Sequence, residues 1–289
     1  MSKIRIVTDS SAQFLDPALV RRHGITIVPV TIRFGDRAFR EGVDLDAEGF
    51  FHYILTEGMP PPTLEAPSVA DYTEAISRVM YETDRILVLT MARGLSDSWH
   101  NAQAAAHLLQ GRCDIVVVDS MTTSIGLGFL VETAARAAEA TASLESVVRI
   151  VRGAVPRVYA VFYVETLDYL LRARLIGEAQ AILGKMLGIK AFLTIEDGEL
   201  ITMEKARTRS QAVDKLIEFV AEFATLNNLV ILQNTPQITE QTRLLQDRLA
   251  LEFNGRDFPV MMYGPTLGTH LGPDGVGLVV YEAEEEVSL

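Results

Sequence analysis

The sequence predicts an α/β protein of two domains: first a parallel sheet with flanking helices, then a mixed α/β domain. Short runs rich in Val and Ile alternate with helical patterns along most of the chain, which is typical of βαβ units. The chain has 289 residues, of which 48% are hydrophobic, and this suffices for two modest cores. Near Pro156 the pattern changes to strands with aromatic residues and a hairpin, which indicates that a second domain begins there.

The first domain, residues 1–155, is predicted from three apolar runs that are flanked by polar residues. Such runs are typical of strands buried on both faces of a parallel sheet. One helix is expected to begin at Ser68, where Asp71 completes a pattern like a capping box, and another to end before Gly111. The predicted strands are 4–7, 86–89 and 115–118, and the predicted helices after the Ser68 start are 98–110 and 125–140.

The second domain, residues 156–283, is predicted to be mixed. Asp197 and Gly198 lie between two strand-like runs, which is a hairpin signal. Residues 284–289 are expected to form an acidic, solvated tail. The predicted strands are 158–164, 190–195, 200–205, 229–232 and a last pair, 260–263 and 277–281, and the predicted helices are 210–224 and 239–253.

Charge and composition exclude several classes of protein. The chain carries 26 Lys and Arg against 38 Asp and Glu, a formal charge of −12. This balance argues against nucleic acid and anionic lipid headgroups, which need clustered cations. The single cysteine, Cys113, cannot form a disulfide within the chain, and no apolar run approaches the roughly 18 residues of a membrane span. A cytoplasmic protein without a signal peptide or a transmembrane segment is therefore expected.

Polar side chains follow three of the predicted strands. The segments are 8–11 (Thr-Asp-Ser-Ser), 93–98, which contains Ser96 and Ser98, and 119–124, which begins with Asp119 and ends with Ser124. Ligands of open α/β sheets bind beyond the carboxyl ends of the strands, and hydroxyls beside helix N-termini suit a small oxyanion. The alternative is that these residues only cap helices.

Asp9 and Asp119 also permit an enzymatic interpretation. They are candidates for an acid–base pair or for Mg²⁺ ligands in a small-molecule phosphotransferase or hydrolase. The alternative is that each carboxylate binds only the backbone of its own loop. Neither a G-x-S-x-G nucleophile elbow nor a phosphate-binding P-loop occurs in the sequence.

A glycine-rich segment, 264–275, lies between the last two predicted strands and is expected to be a loop from which Thr269 and His270 project. In a binding role, the N–H group or the positive charge of His270 would contact an anionic head group. The alternative is a simple turn with a solvent-exposed histidine.

Seven segments form an ordered set that is specific as a whole, although each segment alone is weak. They are Val7-Thr8-Asp9-Ser10-Ser11, residues 62–68, Leu95-Ser96-Asp97-Ser98-Trp99, residues 118–126, residues 165–170, residues 187–190 and residues 264–277. Together they resemble the DegV family. The resemblance implies a two-domain DegV-like fold that holds a long-chain fatty acid, with no cofactor and no catalysis of its own. Members that work with a fatty acid kinase present the acyl carboxylate to that partner.

The resemblance also implies site residues. Ser96 matches the serine of the family's Leu-Ser-Gly-Thr loop, His270 matches the closing histidine, and Arg207 resembles an arginine that follows the hairpin. The predicted ligand-binding residues are Ser96, Thr63, His270, Thr269, Ser124, Arg207, Asp9, Ser10 and Ser98.

Three departures from the family pattern concern the head group and the partner. Leu64 occupies the position of the carboxylate-binding threonine, and Thr63 lies one residue earlier. Asp97 replaces a glycine and brings a negative charge close to the predicted carboxylate. Residues 173–175, Ala-Arg-Leu, replace the Gly-Gly-Arg implicated in partner docking. The ligand head group or the partner is therefore expected to differ from the family norm. A further alternative is an interaction or regulatory module that binds no lipid.

An acyl chain would dominate the affinity. Each buried methylene contributes ~0.8 kcal/mol, so a dozen contribute roughly 10 kcal/mol before entropy losses. The apolar tunnel that this requires has no sequence signature. Candidates for its lining, chosen by composition alone, are Phe129, Leu130, Ile182, Met186 and Leu187.

Overall fold

The computed structural model describes residues 3–141, 143–173 and 176–284. These residues form two compact units. The first contains residues 3–46, 60–156 and 197–199, and the second contains 47–59, 157–196 and the residues from 200 onward. The main division thus falls between Pro156 and Arg157. Residues 47–59, which the sequence analysis assigns to the first domain, belong to the second unit, and most of the predicted tail, 285–289, lies outside the described residues.

The strands and helices are numbered in chain order. The strands are β1 (Arg5–Asp9), β2 (Thr26–Val28), β3 (Thr31–Phe34), β4 (Arg37–Arg40), β5 (Pro62–Glu65), β6 (Arg85–Thr90), β7 (Asp114–Asp119), β8 (Val158–Val164), β9 (Lys190–Glu196), β10 (Glu199–Ala206), β11 (Leu226–Gln233), β12 (Val260–Met262) and β13 (Val276–Glu282). The helices are α1 (Ala18–His23), α2 (Ala47–Leu55), α3 (Val69–Val79), α4 (Ser98–Leu108), α5 (Ser124–Ala140), α6 (Leu144–Ala154), α7 (Asp168–Arg172), α8 (Glu178–Met186), α9 (Arg209–Ala221), α10 (Glu240–Glu252) and α11 (Pro265–Leu271).

The main sheet of the first unit is parallel, as predicted. Its order is β2-β1-β6-β7, and Val88 of β6 pairs with Val7 on one side and Val117 on the other. Apolar side chains are buried on both faces, against α5 and α6 on one and α3 and α4 on the other. Because all four strands run in one direction, the carboxyl ends of β1, β6 and β7 share one edge of the sheet.

The predicted helices of the first unit are confirmed. Ser68 caps α3, and its hydroxyl accepts the Asp71 N–H while the Asp71 carboxylate accepts the Ser68 N–H. The structure adds a three-stranded antiparallel sheet, β4-β3-β5, that the sequence analysis does not predict. In β5, Leu64 packs against the core while Thr63 lies on the exposed face.

The second unit contains a six-stranded mixed sheet of order β10-β9-β8-β13-β11-β12, which confirms the mixed prediction. The two last strands do not pair with each other as expected, because β11 lies between β13, its antiparallel neighbour, and β12, its parallel neighbour. β11 carries a continuous buried apolar run and so occupies the interior of the sheet. The link from β12 to β13 is therefore a crossover that contains α11, and not a hairpin.

Candidate functional site

Hydroxyl groups concentrate where the parallel strands of the first unit end. The Oγ1 atoms of Thr8, Thr90, Thr122 and Thr123 are buried and have no hydrogen-bond partner among the described residues. Buried hydroxyls are normally bonded, because an unsatisfied one costs about 1–3 kcal/mol. We call this region the strand-end cluster; it comprises Thr8, Asp9, Thr90, Ser96, Ser98, Asp119, Thr122, Thr123 and Ser124.

The loop between β7 and α5 has a strained backbone. Met121 and Ser124 have φ angles of 55° and 56°, which non-glycine residues seldom adopt. Strain of this kind persists only where the surroundings hold it, and it is concentrated at functional sites. The hydroxyl of Ser124 donates to Gln13 Oε1 at 2.6 Å, and the Gln13 N–H donates to the Ser124 carbonyl at 3.1 Å. Ser124, a predicted ligand residue, thus joins two loops of the cluster.

A glycine allows these loops to approach each other. A Cβ on Gly128, in the second turn of α5, would lie 1.8 Å from the carbonyl oxygen of Gln13. No other residue type fits without moving the 10–13 loop or the helix. The strand-end cluster therefore depends on the absence of a side chain at Gly128.

Asp9 is fully buried at the end of β1. Its Oδ1 accepts the N–H of Ser11 at 3.2 Å and the Ser11 hydroxyl at 2.5 Å, and its Oδ2 accepts the Met91 N–H at 2.9 Å. Burial raises the pKa of Asp9, and the hydrogen bonds from Ser11 and Met91 partly offset that rise. These bonds fit the alternative in which Asp9 binds loop backbone.

Asp119 is bonded in a similar way at the end of β7. Its Oδ1 accepts the Met121 N–H at 3.0 Å and the Arg93 N–H at 3.3 Å, and its Oδ2 lies 3.6 Å from Arg93 Nε. Across the described ranges, no group of three or more His, Cys, Asp or Glu side chains is arranged to hold a metal ion.

The predicted serines of the first unit occupy different environments. The Ser10 hydroxyl donates to Glu41 Oε2 and accepts the Val30 N–H, both at 2.9 Å. Ser98 is fully buried, whereas Ser96 is half-buried, and its Oγ accepts the Ser98 N–H at 3.2 Å. Asp97 between them is exposed. Ser96 is therefore the predicted serine best placed to meet a ligand.

In the second unit, Thr269 and His270 lie on a helix rather than on the predicted loop. Gly268 is required by packing, because a Cβ there would lie 2.4 Å from the Phe50 ring, and Pro265 occupies the first turn of α11. The Thr269 hydroxyl donates to the Pro265 carbonyl at 2.9 Å. The glycines of this segment thus serve close packing more than loop flexibility.

His270 has a neutral imidazole at physiological pH. Burial lowers its pKa to about 4, and its Nε2 is buried with no hydrogen-bond partner among the described residues. Of the two modes left open by the sequence, contact through N–H or through positive charge, the first matches this environment.

The turn after α11 is fixed by side chains of the same unit. The Tyr263 hydroxyl donates to the Gly272 carbonyl at 2.7 Å and accepts the Gly275 N–H at 3.1 Å. Gly272 has a φ of 80°, and a Cβ there would lie 2.4 Å from the Tyr169 ring. The Thr166 hydroxyl donates to Asp274.

An ion-pair cluster in the second unit consists of Glu165, Lys190 and Arg209, together with Tyr163, whose hydroxyl donates to Glu165. Glu165 accepts from Arg209 Nε at 2.6 Å and the Tyr163 hydroxyl at 3.1 Å, and lies 3.0 Å from Lys190 Nζ. Arg209 foremost, and then Lys190, lower the pKa of Glu165 to about 2. Arg207, the predicted arginine, is exposed, and its backbone N–H donates to Gln211 Oε1 at 3.0 Å.

The described residues of the second unit line a cleft and a groove. A cleft of about 470 Å³ lies beside Glu165, Arg209 and Asp274, and a groove of about 210 Å³ lies beside Leu183 of α8 and Met203. The composition-based choice of tunnel-lining residues is wrong for three residues: Ile182, Met186 and Leu187 are 61%, 79% and 58% exposed. They lie on the outer face of α8, whereas Phe129 and Leu130 are buried.

Sequence reasoning missed several residues of both regions. Tyr72 lies beside Asp9 and Ser98, and its hydroxyl is buried without a bonded partner among the described residues. Thr90 follows the apolar run 86–89 of β6, and that change to a hydroxyl was the available signal. No motif indicated the pairing of Glu165 with Arg209, which are 44 residues apart. Of the stretch 173–175, Arg174 and Leu175 lie outside the described residues.

Comparison with known proteins identifies relatives along nearly the whole chain. The model of the DegV family, described as "Uncharacterised protein, DegV family", matches residues 3–283. A DegV domain-containing protein of Streptomyces coelicolor is 33% identical over 279 residues, which cover 96% of this chain and 98% of the relative.

Solved structures of similar fold include those of two DegV proteins. That of a DegV family protein from Thermus thermophilus, described as binding fatty acid, has a TM-score of 0.84 at 26% identity and covers 97% of this chain and 100% of its own. DegV from Bacillus subtilis, described as a fatty acid binding protein, has a TM-score of 0.84 at 23% identity, covers 98% of this chain and 100% of its own, and shows the same fold. The chain belongs to the DegV family.

Proposed function

We propose that this protein binds a long-chain fatty acid and presents its carboxylate to a partner without catalysing a reaction itself. The observation that carries the proposal is the fatty-acid-binding relative from Thermus thermophilus, which is 26% identical and similar in fold over its whole length. The proposal places the head group at the polar loops and the acyl chain in an internal apolar tunnel.

The chemistry of the strand-end cluster supports a carboxylate ligand. Hydrogen bonds from neutral donors to a charged carboxylate contribute about 1.5–3 kcal/mol each, so hydroxyls suffice and no lysine or arginine is required. Ser96 is half-buried, and its oxygen is held by the Ser98 N–H. Asp97 is exposed, so its charge can be solvated rather than directed at the head group.

The remaining predicted contacts have unequal support. The partnerless Nε2 of His270 favours a role in binding, whereas the hydroxyls of Ser10 and Ser124 already bond protein groups and Ser98 is fully buried. Thr63 and Arg207 are exposed and remain predictions, as does Thr269.

We also propose a binding partner and a cellular location for this protein. A fatty acid kinase is the partner that the family resemblance suggests, and it would supply the catalysis. None of the helices in the described part of the chain is long and apolar enough to cross a membrane. We propose that the protein works in the cytoplasm.

The enzymatic alternative has weaker support. A phosphotransferase or hydrolase would need free oxygens on Asp9 and Asp119, yet three of these four oxygens accept backbone N–H groups. Turnover of a phosphate or acyl substrate, or stabilisation of the protein by Mg²⁺ in a melting experiment, would favour this alternative over the lipid carrier.

Extraction of bound lipid and a substitution at Ser96 test the proposal. We expect denaturing extraction of the purified protein to release C14–C18 fatty acids that mass spectrometry detects, and delipidated protein to take up palmitate.

Ser96→Ala should weaken palmitate binding by about 5- to 150-fold, corresponding to ~1–3 kcal/mol, without unfolding the chain. Ser77→Ala, which removes another half-buried hydroxyl of the same unit, is the matched control and should leave affinity unchanged. Absence of acyl species together with no palmitate uptake would reject the lipid function.

A further inference from the structure

The loop that carries Ser96 connects β6 to α4 and contains a tight turn. The Leu95 N–H donates to the Ala92 carbonyl at 3.0 Å, so the turn comprises residues 92–95 and Gly94 is its third residue. Leu95 itself packs against the apolar core of the first unit. Ser96 directly follows this turn, and its position therefore depends on where the turn is held.

The neighbouring loop after β7 holds one part of the turn through two hydrogen bonds. The Ala92 N–H donates to the Thr122 carbonyl at 2.8 Å, and the Arg93 N–H donates to Asp119 Oδ1 at 3.3 Å. Both donors are backbone groups, so these bonds fix the path of the chain and not only its side chains. The beginning of the turn is thereby joined to the end of β7.

A distant segment of the chain, the turn between β9 and β10, contacts the middle of the 92–95 turn. We call residues 197–199 the hairpin tip; they belong to the first unit. A Cβ on Gly94 would lie 2.6 Å from the carbonyl oxygen of Gly198 and 2.8 Å from Glu199 Cγ. The backbone of Gly94 therefore lies directly against the backbone of the hairpin tip, at a distance that only glycine permits.

The hairpin tip also contacts the loop after β7. A Cβ on Gly198 would lie 3.0 Å from Met121 Sδ and 3.4 Å from Ala92 Cβ. Gly198 is buried, and its φ of 81° is one that glycine adopts without strain. The tip thus packs against both loops, and one of its contacts falls two residues before Ser96.

We propose that the hairpin tip is a positioning element of the head-group site, which through the close approach of Gly198 to Gly94 sets where the Ser96 hydroxyl meets a ligand carboxylate. The proposal rests on the fatty-acid function proposed above and adds to its head site a segment that is distant in sequence. The tip acts at one remove from the ligand, because it fixes the backbone of the turn that precedes Ser96.

Gly94→Ala tests the proposal from the side of the turn. The new Cβ meets a backbone oxygen that cannot rotate away, so the turn and the hairpin tip must separate. Ser96 moves with the turn, and we expect palmitate affinity to fall about five- to fiftyfold, and by no more than in Ser96→Ala. Gly153→Ala is the matched control, because a Cβ there has no neighbouring atom within 4 Å, and its palmitate affinity should equal that of wild type.

Gly198→Ala tests the same contact from the side of the tip. Its alanine carries the strain of a left-handed backbone, and its Cβ presses on Met121 and Ala92. Gly42→Ala carries similar strain, at a φ of 76°, but its Cβ has no atom within 4 Å. We expect palmitate affinity to fall about three- to tenfold in Gly198→Ala and less than about twofold in Gly42→Ala. Equal affinities of these two variants would count against the role of the tip.

A double-mutant cycle separates positioning from a general loss of stability. In a Ser96→Ala background, Gly94→Ala should change palmitate affinity less than about twofold, since the hydroxyl that the turn positions is absent. With palmitate labelled with ¹³C at the carboxyl carbon, the resonance of the bound ligand should shift in Gly94→Ala toward its position in Ser96→Ala. Equal losses of affinity with and without the Ser96 hydroxyl would overturn the positioning role.

The behaviour of wild-type protein keeps the two proposals distinguishable. Wild type that takes up no palmitate rejects the proposed function itself. If wild type and Gly94→Ala bind palmitate equally well while Ser96→Ala binds it weakly, only the role of the hairpin tip is rejected. If Gly94→Ala does not fold, as judged by circular dichroism, the comparison of Gly198→Ala with Gly42→Ala decides the question alone.

Discussion

The strand-end cluster of the first unit and the ion-pair cluster of the second unit stabilise their polar groups by different kinds of interaction. The first combines neutral hydroxyls and backbone N–H groups with the carboxyl groups of Asp9 and Asp119, and its loops approach closely enough to require Gly128. The second uses full charges: Glu165 with Arg209 and Lys190, at a surface where the Arg209 side chain is 69% exposed.

The two regions are therefore sensitive to different kinds of change. Close packing and neutral hydrogen bonds depend on shape and hardly on salt, whereas exposed ion pairs are screened by salt and titrate with pH. Added volume should therefore damage the first unit most, and changes of pH or charge the second.

Gly128→Ala should give the largest loss of stability. The new Cβ would lie 1.8 Å from the Gln13 carbonyl oxygen, a backbone atom that cannot rotate away, so the 10–13 loop or α5 must move. We expect the free energy of unfolding to fall by about 3–4 kcal/mol, measured by urea denaturation.

Gly153→Ala is the control for that substitution. Gly153 lies in α6, and a Cβ there has no neighbouring atom within 4 Å. Alanine favours a helix over glycine, so this variant should be more stable than wild type by ~0.5–1 kcal/mol. Equal behaviour of the two variants would contradict the claim that close approach at Gly128 holds the strand-end cluster together.

His270 should make the second unit sensitive to acid. In the folded protein its pKa is lowered to about 4 by burial, from 6.5 for the ordinary side chain. Between these values the unfolded chain binds a proton that the folded chain does not, so folding loses stability as the pH falls from 6.5 to 4. The loss attributable to His270 should reach about 3 kcal/mol near pH 4 and vanish above pH 7.

His270→Gln isolates this contribution from other titrating groups. Burial raises the pKa of Asp9 and Asp274, so both act in the opposite direction and gain stability as the pH falls. Subtracting the pH profile of the variant from that of wild type removes these shared terms. Superimposable profiles between pH 4 and 7 would mean that the imidazole is not held neutral by burial.

The parallel sheet of the first unit could be predicted because its strands and helices carry strong local signals. The apolar runs before Thr8, Thr90 and Asp119 are buried on both faces, and the capping box at Ser68 is a short-range hydrogen-bond pattern. The small sheet β4-β3-β5 lacked such a signal, since β4 is mostly exposed and β5 has four residues. The pairing of β13 with β8 and β11 depends on long-range packing that no local pattern encodes.

The sequence predicted which segments form the candidate site, but not the environment of each residue within them. The strand ends were correctly expected to gather hydroxyls, yet sequence could not tell Ser98, which is fully buried, from Ser96, which stays half-buried. The 264–275 segment was expected to be a loop because its glycines suggested flexibility, whereas Gly268 makes room for the Phe50 ring. A single sequence does not distinguish a glycine required for close packing from one required for a turn. Pro265 was the available indication of a helix start.

Glu165→Gln should change stability less than Gly128→Ala or the acid titration of His270 does, and its effect should depend on the salt concentration. Arg209 and Lys190 lower the pKa of Glu165 to about 2, so its stabilising contribution is complete above pH 4.5 and is lost as the pH falls toward 2. Because Arg209 is largely solvated, we discount the interaction and expect a loss of about 1–2 kcal/mol at pH 7 and low salt, shrinking in 1 M NaCl. Glu204→Gln, which breaks the exposed pair with Lys215, is the control and should change stability by less than about 0.5 kcal/mol. If the loss of stability in Glu165→Gln does not change with salt concentration, this cluster depends on packing and neutral hydrogen bonds, as the strand ends do. The contrast between the two units would then disappear.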